Sequence, residues 1–529
     1  MRSFSEGQPG AGFTIDRELF THADEVARLH RDVFAIPPST SVAAQPSGFD
    51  VRLASGDQVH VPYEPDWDAL ELPLGVTARL YLYTARFLPL LLESEHTERT
   101  EALVSGYFAW IRRKSSEGLQ KGFDSWDHAT AWRLEVAWRL YAITGRRTRK
   151  EILASIHDDL AWATQPENIK LNNHGAFLVS ALLFCAPHLE PSAAAFAQPL
   201  KDAVSDRLPR ILELVYGTDV DGWCAENSPM YDRVWINLLR AMMRAFEPEL
   251  RDIGLADRLE TIVERAHTVS RTLILPNARY VPRGDSPRQR TSLIPLPGTH
   301  WNERVGVWIH QRDGLYIMAT SGHAAVTHKH VDETQVYLHW NETDFFLDGG
   351  FHSYDYSDPR VVALRSNYGH SVLDVDPAPL LPPWKAYRKG QTRISGHIFD
   401  PTERSVQLHK RVDEHHLIRS LLVLDDPRML VFHDRISSSE PVGMVARFLL
   451  ANNASVERTA SGLTISRLGQ RLDVAFQDPI DATIIAAETR SPHRGWYSTA
   501  ARELVAGSCL ELRPRDEGAT AMSYTVRMS

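Results

Sequence analysis

Histidine and aspartate side chains are grouped between residues 327 and 370. His328 and His330 are two positions apart, and Asp348 follows the apolar run at 345–347. In a strand, residues two apart lie on one face, so we expect both histidines to point in the same direction. Imidazole and carboxylate together suit zinc, whereas magnesium and calcium prefer oxygen ligands. The segment predicts a zinc site. The simpler alternative stays open, because a chain with 23 histidines can bring two together by chance.

A second group of polar residues precedes an apolar run in the first half of the chain. Asn172, Asn173 and His174 stand directly before Gly175. Either asparagine can cap the N-terminus of a helix, because its side-chain oxygen accepts a hydrogen bond from a backbone amide of the first turn. Capping does not account for the adjacent histidine, so Asn173 and His174 are also candidates for catalysis.

A third group surrounds Pro229. Asn227 or Ser228 is expected to precede a helix whose first residue is Pro229, a position that proline favours. Tyr231 then lies in the first turn, near the positive end of the helix dipole, where a phenolate would be favoured. The alternative is that Tyr231 only packs against its neighbours.

These groups are distributed over two parts of the chain that differ in hydrophobic period. From about Leu74 to about Leu275, apolar residues recur at helical spacing, as at Leu134, Trp138 and Tyr141. Turn and cap signals, such as those at 95–97 and 144–146, interrupt the pattern at intervals typical of ordinary helices. This half predicts a helical toroid or an array of helical hairpins.

After about Arg283 the pattern changes to that of strands. Short alternating runs occur at 315–320, 335–340, 345–347, 417–424 and 429–432, with turn residues at 341–344 and 425–428. Many short strands separated by turns predict an antiparallel β-sandwich. We therefore predict two domains, a helical domain at 1–282 and a β-sandwich domain at 283–529 that carries the metal site, with the Pro- and Arg-rich stretch Pro282–Pro297 as the linker.

Composition and charge exclude several classes of protein. The 529 residues exceed what one hydrophobic core usually supports, and 43% hydrophobic and 24% charged residues are ordinary globular values. The net charge of -9 gives no basic field that would draw the chain to nucleic acid. The cysteines, Cys185, Cys224 and Cys509, lack the paired spacing of a disulfide framework or a thiolate metal site.

No segment predicts export or insertion into a membrane. The N-terminus is polar, without the apolar core of a signal peptide, and no later run is long enough to span a bilayer. We therefore expect a cytoplasmic protein, or a periplasmic one if the N-terminus is processed. We expect no membrane partner, and the sequence leaves a homo-oligomer open.

As an ordered set, the motifs resemble those of the heparinase II/III-like family of polysaccharide lyases. The set comprises Asn-Asn-His-Gly at 172–175, Glu-x-Ser-Pro-x-Tyr at 226–231, His-x-His-x-Asp at 328–332, Asp-x-Gly at 348–350 and the histidine at 370. The resemblance extends from about Trp126 to about Asp376. It implies an (α/α) toroid followed by an antiparallel β-sandwich, in an enzyme that acts on acidic polysaccharides.

The resemblance also assigns catalytic roles to matching positions. Asn173 and His174 would hold and neutralise a uronate carboxylate. Tyr231 would act as the acid, and a second role as the base is open to it. His328 would be a base or a carboxylate-binding group. Tyr354 matches the sandwich-domain tyrosine.

Further positions concern the metal and the substrate. His330, Asp348 and His370 match the family's zinc ligands, which implies one zinc per chain with an organising role and a bound water as fourth ligand. Glu226 and Arg233 are predicted to bind substrate. Tyr356 is close enough to Tyr354 to compete for its assignment, and Arg233 would replace an arginine that the family has where this chain has Trp235.

The implied reaction is β-elimination. It removes the C5 proton of a uronic acid and expels the O4-linked sugar, which leaves a 4,5-unsaturated ring. Because a second negative charge develops beside the carboxylate, hydrogen-bond donors must stabilise it. Two other functions compete: an (α/α)-toroid glycoside hydrolase with Glu226 and Asp221 as its carboxylate pair, and a carbohydrate-binding protein with structural zinc.

Overall fold

The structure is a computed structural model, and it describes residues 40–186, 189, 194–424, 428–516 and 518–529. The chain divides into two compact units, one formed by Met1–Val215 with Val234–Val263 and the other by Tyr216–Arg233 with Glu264–Ser529. The predicted boundary between residues 282 and 283 stays a prediction. Residues 425–427 of the predicted turn at 425–428 lie outside the described residues.

Helices dominate the first part of the described chain. They are α1 (Trp67–Glu71), α2 (Val76–Tyr83), α3 (Leu88–Ser94), α4 (Glu98–Ser116), α5 (Leu119–Gly122), α6 (Trp126–Ile143), α7 (Arg146–Ala163), α8 (Asn173–Cys185), α9 (Ala197–Tyr216), α10 (Pro229–Ala245), α11 (Glu247–Asp252) and α12 (Ala256–Thr272). Two short helices follow among the strands, α13 (Pro359–Arg365) and α14 (Pro383–Ala386).

The helices of the first unit begin and end where the sequence signals lie. At the start of α4, the Thr97 side chain accepts from the Thr100 amide and the Thr100 side chain accepts from the Thr97 amide, a reciprocal cap. Only Thr144 and Gly145 join α6 to α7, so these two helices pack as a hairpin. Helix α6 also packs against α8 and is buried on nearly all sides. No described helix meets the length and apolarity needed to cross a bilayer.

A small sheet in the first unit was not predicted. The strands β1 (Ser41–Gln45), β2 (Gly48–Arg52) and β3 (Gln58–Pro62) form an antiparallel meander ahead of the helices. Residues 51, 59 and 61 are buried while residues 50, 58 and 60 are exposed. This alternation is typical of a half-buried strand, but it extends over too few residues to stand out from the helical pattern that follows.

Strands make up most of the second unit. They are β4 (Gly298–Asn302), β5 (Val307–Arg312), β6 (Leu315–Thr320), β7 (Gln335–Trp340), β8 (Thr343–Phe346), β9 (Leu373–Asp376), β10 (Ile394–Phe399), β11 (Ser405–Val412), β12 (His415–Leu424), β13 (Met429–Ser437), β14 (Gly443–Leu450), β15 (Ser455–Arg458), β16 (Gly462–Arg467), β17 (Gln470–Phe476), β18 (Ile480–Ala486), β19 (Trp496–Ala500), β20 (Glu503–Ala506), β21 (Ser508–Pro514) and β22 (Ala521–Met528).

These strands form antiparallel sheets that enclose a common core. The largest has eight strands in the order β10-β11-β12-β13-β22-β17-β16-β15, the next has five from β4 to β8 in sequence order, and another has the order β18-β21-β14-β9. Apolar side chains from all three sheets form one core. The fold class is therefore as predicted, with a helical N-terminal region followed by antiparallel β-sheets.

The central strand β6 is buried on both faces, which explains its unbroken apolar sequence. Leu315, Ile317 and Ala319 join the core shared by the sheets. Tyr316 and Met318 face the other way, into a second core with residues 220, 223, 273 and 275. The five-stranded sheet therefore packs between two apolar layers.

The predicted linker is wrong for its first residues. Asp285 and Ser286 are fully buried within the second unit, and Arg283 is almost fully buried. Proline and arginine suggested an exposed connection because such residues are mostly found at surfaces. Here the arginine and aspartate side chains find partners in the protein interior.

Candidate functional site

The asparagine–histidine motif of the first unit lies at the start of α8. Asn172 is the N-cap, and its side-chain oxygen accepts from the Gly175 amide at 3.3 Å. Asn173 is therefore the first helical residue and is buried without serving as the cap. Gly175 is required here, because a Cβ would lie 1.7 Å from the Lys170 carbonyl oxygen. This packing fixes the position of the first turn of α8, which carries Asn173 and His174.

His174 lies beside charged and aromatic groups of the same unit. Its Nδ1 is 3.4 Å from Oδ1 of the buried Asp127, and the Lys170 ammonium is 3.6 Å from the same oxygen. The His128 ring lies 4.8 Å from the His174 ring and stacks on Phe177. An imidazole so placed can donate a hydrogen bond to an anion.

Tyr231 occupies the first turn of α10, as predicted. Ser228, just before Pro229, accepts from the Tyr231 amide at 3.4 Å, and its hydroxyl lies 2.7 Å from the Ser286 hydroxyl. Asn227, the other candidate cap, donates instead to the carbonyl oxygens at 325 and 327, at 2.6 and 3.0 Å. The segment before α10 is therefore tied to the loop that carries the histidines.

Tyr231, His328 and Tyr354 contact one another. The rings of Tyr231 and His328 are stacked, with centroids 3.4 Å apart and planes inclined by 14°. The Tyr231 hydroxyl is 2.9 Å from the Tyr354 hydroxyl, which is 3.5 Å from His328 Nδ1. Of the two neighbouring tyrosines, Tyr354 and not Tyr356 makes these contacts. Three of the five predicted catalytic residues therefore form one cluster.

The predicted strand through the two histidines is wrong. Residues 327 and 328 form a turn, and His328 has φ of 56°, in the left-handed region. The alternation argument therefore does not hold, because it requires extended backbone. Both side chains nevertheless reach one carboxylate: His328 Nδ1 lies 2.8 Å from Asp285 Oδ2, and His330 Nε2 lies 2.9 Å from Asp285 Oδ1.

Asp285 is a central residue that the sequence did not reveal. Besides the two histidines, it accepts from the Tyr354 hydroxyl at 3.1 Å and is paired with Arg365 at 2.7 Å. Burial alone would raise the pKa of Asp285, but Arg365, His328 and His330 hold it well below its usual range. The carboxylate is therefore charged and orients both rings.

The expectation of a readily formed phenolate at Tyr231 is wrong for this arrangement. Burial raises the pKa of Tyr231 well above its usual value, and the Asp285 carboxylate acts in the same direction. These effects outweigh the helix dipole, which contributes only a fraction of a unit charge at the first turn. Tyr231 is therefore protonated and able to donate a proton.

His330, Asp348 and His370 form the predicted candidate metal centre. All three are buried, and one ligand atom from each lies within 4.8 Å of the others. Asp348 and His370 face each other across an isolated antiparallel bridge. Gly349 allows this close approach, since a Cβ there would lie 2.8 Å from the Gly369 carbonyl oxygen. Residues distant in sequence are thus brought together by a short backbone contact.

The donor set fits a divalent cation. Within the described part of the chain, the buried His330 Nδ1 and His370 Nε2 have no hydrogen-bond partner, although each histidine has a partner on its other nitrogen. Burial lowers the pKa of His330 to about 4, so its ring is neutral, as a ligand must be. Gln335 and the Gly350 amide hold the Asp348 carboxylate at 2.8 and 2.6 Å. Two imidazoles and one carboxylate suit zinc, and the identity of the ion stays a prediction.

The predicted substrate-binding residues occupy different environments. Glu226 is buried, with Oε2 3.7 Å from His328 Nε2. Arg233 is partly buried and donates to Gln289 at 3.3 Å. Asp221, offered as the hydrolase partner of Glu226, has a side chain 74% exposed and is paired with Arg265 at 3.0 Å. Because Asp221 lies at the surface and is paired with Arg265, the structure gives no support to Asp221 as the hydrolase partner of Glu226.

Comparisons with known proteins agree with the sequence resemblance. Residues 295–525 match the family described as heparinase II/III-like, C-terminal. A search of the curated proteins finds no match. Among solved structures, heparinase III shares 11% identity over 100% of this chain and 87% of its own, with a TM-score of 0.66.

Two further structures share the fold. The heparan sulfate lyase HepC from Pedobacter heparinus is 14% identical over 99% of this chain and 85% of its own, with a TM-score of 0.58. The heparinase III BT4657 gene product is 13% identical over 96% of this chain and 84% of its own, with a TM-score of 0.59. At these identities the structures establish a common fold, while the family match rests on residues 295–525.

Proposed function

We propose that the chain is a heparinase II/III-like polysaccharide lyase that cleaves uronic-acid-containing glycans by β-elimination, a proposal supported by its C-terminal family match and by its fold. The products would carry a 4,5-unsaturated uronate at their new non-reducing end. Of the candidate polymers, a glycosaminoglycan is favoured over alginate or a capsular polymer, because HepC is a heparan sulfate lyase. The observation that carries the proposal is the contact among Tyr231, His328 and Tyr354.

His328 is proposed as the base. Asp285 accepts from Nδ1, which holds the proton on that nitrogen and leaves the lone pair on Nε2. Nε2 makes no hydrogen bond to any residue that the structure describes, and the Glu226 carboxylate lies 3.7 Å from it. An imidazole in this tautomer takes the C5 proton more readily than a protonated tyrosine does at neutral pH.

Tyr231 is proposed as the acid. Its raised pKa keeps the hydroxyl protonated until the bond to the leaving sugar breaks. His328 takes the C5 proton, the electron pair of that C–H bond forms the C4=C5 double bond, and the C4–O4 bond breaks as the phenol proton passes to O4. The sugar then carries only the charge of its carboxylate. Tyr354, which contacts the Tyr231 hydroxyl and donates to Asp285, would orient the acid.

The roles of Asn173, His174, Glu226 and Arg233 rest on the sequence resemblance. Asn173 and His174 would stabilise the charge that develops on the uronate carboxylate, since an amide and an imidazolium donate hydrogen bonds to an oxyanion. Glu226 and Arg233 would bind the sugar. Substitution of each of these four residues tests its own proposed role, independently of the other three.

The metal centre is proposed to position the base. A cation held by His330, Asp348 and His370 would fix the histidine loop at His330, which is two residues after His328. Because His330 and His328 share the Asp285 carboxylate, fixing one ring also restricts the other. The bound ion would supply structural restraint and charge neutralisation.

Incubation with heparan sulfate, chondroitin, hyaluronan and alginate tests the proposal. We expect at least one polymer to give products with the near-ultraviolet absorbance of a conjugated C4=C5 double bond. New reducing ends without that absorbance would show hydrolysis and overturn the proposal. Neither signal on any of the four polymers would also contradict it.

A histidine substitution tests the assignment of the base. His328→Ala is expected to lower kcat by about 10²- to 10⁴-fold, the usual contribution of a general base. His416→Ala is the matched control, because His416 lies in β12 of the same unit and is only partly buried. Equal losses in both variants would show that the effect does not arise from proton transfer.

A further inference from the structure

Two exposed aromatic side chains lie next to the tyrosine cluster. The rings of Tyr356 and Trp384 are 4.9 Å apart, and these residues are 42% and 46% exposed. Large aromatic side chains usually bury most of their surface, and neighbouring exposed ones mark binding sites for ligands. Tyr356 is two positions after Tyr354, which is itself 39% exposed.

The pair is connected to the proposed chemistry through Arg365. The guanidinium carbon lies 5.4 Å from the centre of the Tyr356 ring and 5.7 Å from that of Tyr354. The same group is paired with Asp285. Tyr356 and Tyr354 therefore adjoin one buried cation, and Trp384 adds a further ring to this aromatic surface.

The segment that carries Trp384 is fixed to the protein interior. Two prolines, at 382 and 383, restrict the backbone at the start of α14. Tyr387, one turn later, donates to the buried Glu333 at 2.6 Å and to the His330 carbonyl oxygen at 3.1 Å. Because the backbone that carries Trp384 is held in this way, the segment loses little conformational freedom when it binds a ligand.

Charges near Trp384 suit an acidic ligand. Lys385, Arg388 and Lys389 follow Trp384 closely and are exposed. Of the two acidic residues in the Tyr356 loop, Asp358 is paired with Arg360 at 2.7 Å, and Asp355 accepts from the Ser357 hydroxyl at 2.6 Å and keeps its charge. The three basic side chains outnumber this one uncompensated carboxylate and attract a polyanion.

We propose that Tyr356 and Trp384 form an aromatic subsite that stacks on a sugar ring of the glycan adjacent to the one cleaved, with Lys385 as a counter-charge for its acidic groups. The proposal rests on the lyase function above and adds the position at which the polymer is held. The apolar C–H face of a pyranose ring covers an aromatic ring, while its hydroxyl groups remain in water.

The test compares Trp384→Ala with Trp301→Ala on the most active of the four polymers. Trp301 is a matched control, because it is 40% exposed in β4 of the same unit and plays no part in the proposed site. We expect Trp384→Ala to raise KM about tenfold, which corresponds to the loss of one aromatic contact, with a much smaller change in kcat. Trp384→Phe should restore most of the affinity.

Wild-type KM in Trp384→Ala, or an equal rise in Trp301→Ala, would overturn the subsite. Absence of unsaturated product from the wild-type protein would instead overturn the lyase proposal. In that case titration calorimetry with heparan sulfate still tests the subsite. Binding that is weakened about tenfold in Trp384→Ala supports it, and unchanged binding or no binding by the wild type overturns it.

Discussion

The two motif-bearing regions of the molecule are built in different ways. In the helical unit, Asn172, Asn173 and His174 are consecutive, and one capping interaction sets their positions. In the sheet unit, the tyrosine–histidine cluster and the candidate metal ligands come from separate segments of the chain, and Asp285 joins the two groups through His328, His330 and Tyr354. Local geometry suffices for the first arrangement, whereas the second depends on buried charge.

The difference affects how each region responds to mutation. A helix cap contributes about 1 kcal/mol and can be replaced by another acceptor. A buried carboxylate with four partners cannot be removed without leaving at least one of them, Arg365, as an unpaired buried charge. The sheet unit should therefore be more sensitive to single substitutions, in both stability and chemistry.

The largest expected effect is on turnover. Tyr231→Phe should lower kcat by about 10³-fold, because the proposed acid is lost while the aromatic ring still stacks on His328. Folding should be unaffected, since Tyr354 keeps its hydrogen bond to Asp285. Tyr368→Phe, which removes another partly buried hydroxyl of the same unit, is the control. Steady-state kinetics measures turnover, and circular dichroism shows whether each variant is folded. A Tyr231→Phe enzyme with near-normal kcat would refute the assignment of Tyr231 as the acid.

The next effect is on stability. Asp285→Asn should lower the free energy of unfolding by about 3–5 kcal/mol, because Arg365 loses its buried counter-charge. Asp127→Asn in the helical unit should cost less than about 1 kcal/mol, because its contacts to His174 and to the 44% exposed Lys170 are longer. Urea unfolding measures both. Equal losses would mean that the two regions do not differ as described.

Removal of the metal should have an intermediate effect. A zinc ion present at a hundred times its Kd adds about 2.7 kcal/mol to the stability of the protein. Chelation should therefore lower the Tm of the wild type, whereas His330→Ala should bind little zinc and show no response. His416→Ala should retain the wild-type metal content. Elemental analysis and thermal unfolding provide the measurements, and a His330→Ala protein with full metal content would exclude this centre.

The smallest effect is expected at the helix cap. Asn172→Ala should lower stability by about 1 kcal/mol, since the Gly175 amide loses its acceptor. Asn172→Asp retains an oxygen at that position and should unfold near the wild-type midpoint. A loss of several kcal/mol in Asn172→Ala would show that this motif, too, is part of a larger network.

The contrast also explains what the sequence could reveal. The helical period, the strands β6 and β7 and the start of α10 at Pro229 were predicted at the correct residues, because each depends on near neighbours in the chain. The candidate metal triad is brought together as predicted, since the ordered motifs that resemble those of the heparinase II/III-like family include its members. These features depend on short-range patterns or on a resemblance that spans several motifs.

Other features depend on tertiary contacts that no local pattern encodes. Asp285 lay in a stretch that appeared to be a linker, and Arg365 ends a short helix with no motif around it. The raised pKa of Tyr231 is a consequence of burial and of a carboxylate 54 positions away in sequence, at residue 285. One signal was available: an isolated aspartate between Gly284 and Ser286, at a turn, could have been flagged as a polar residue with a specific partner.

The shared carboxylate of Asp285 has a consequence for anyone who redesigns this protein. Its two oxygens belong to one rigid plane, so the His330 ring of the candidate metal centre and the His328 ring, the proposed base, cannot be reoriented independently. A transplant of the histidine loop into another scaffold would need residues 283–286 and Arg365 to accompany it. Directed evolution toward a different sugar should therefore find its tolerated changes at the exposed aromatic residues before it finds any in this buried set.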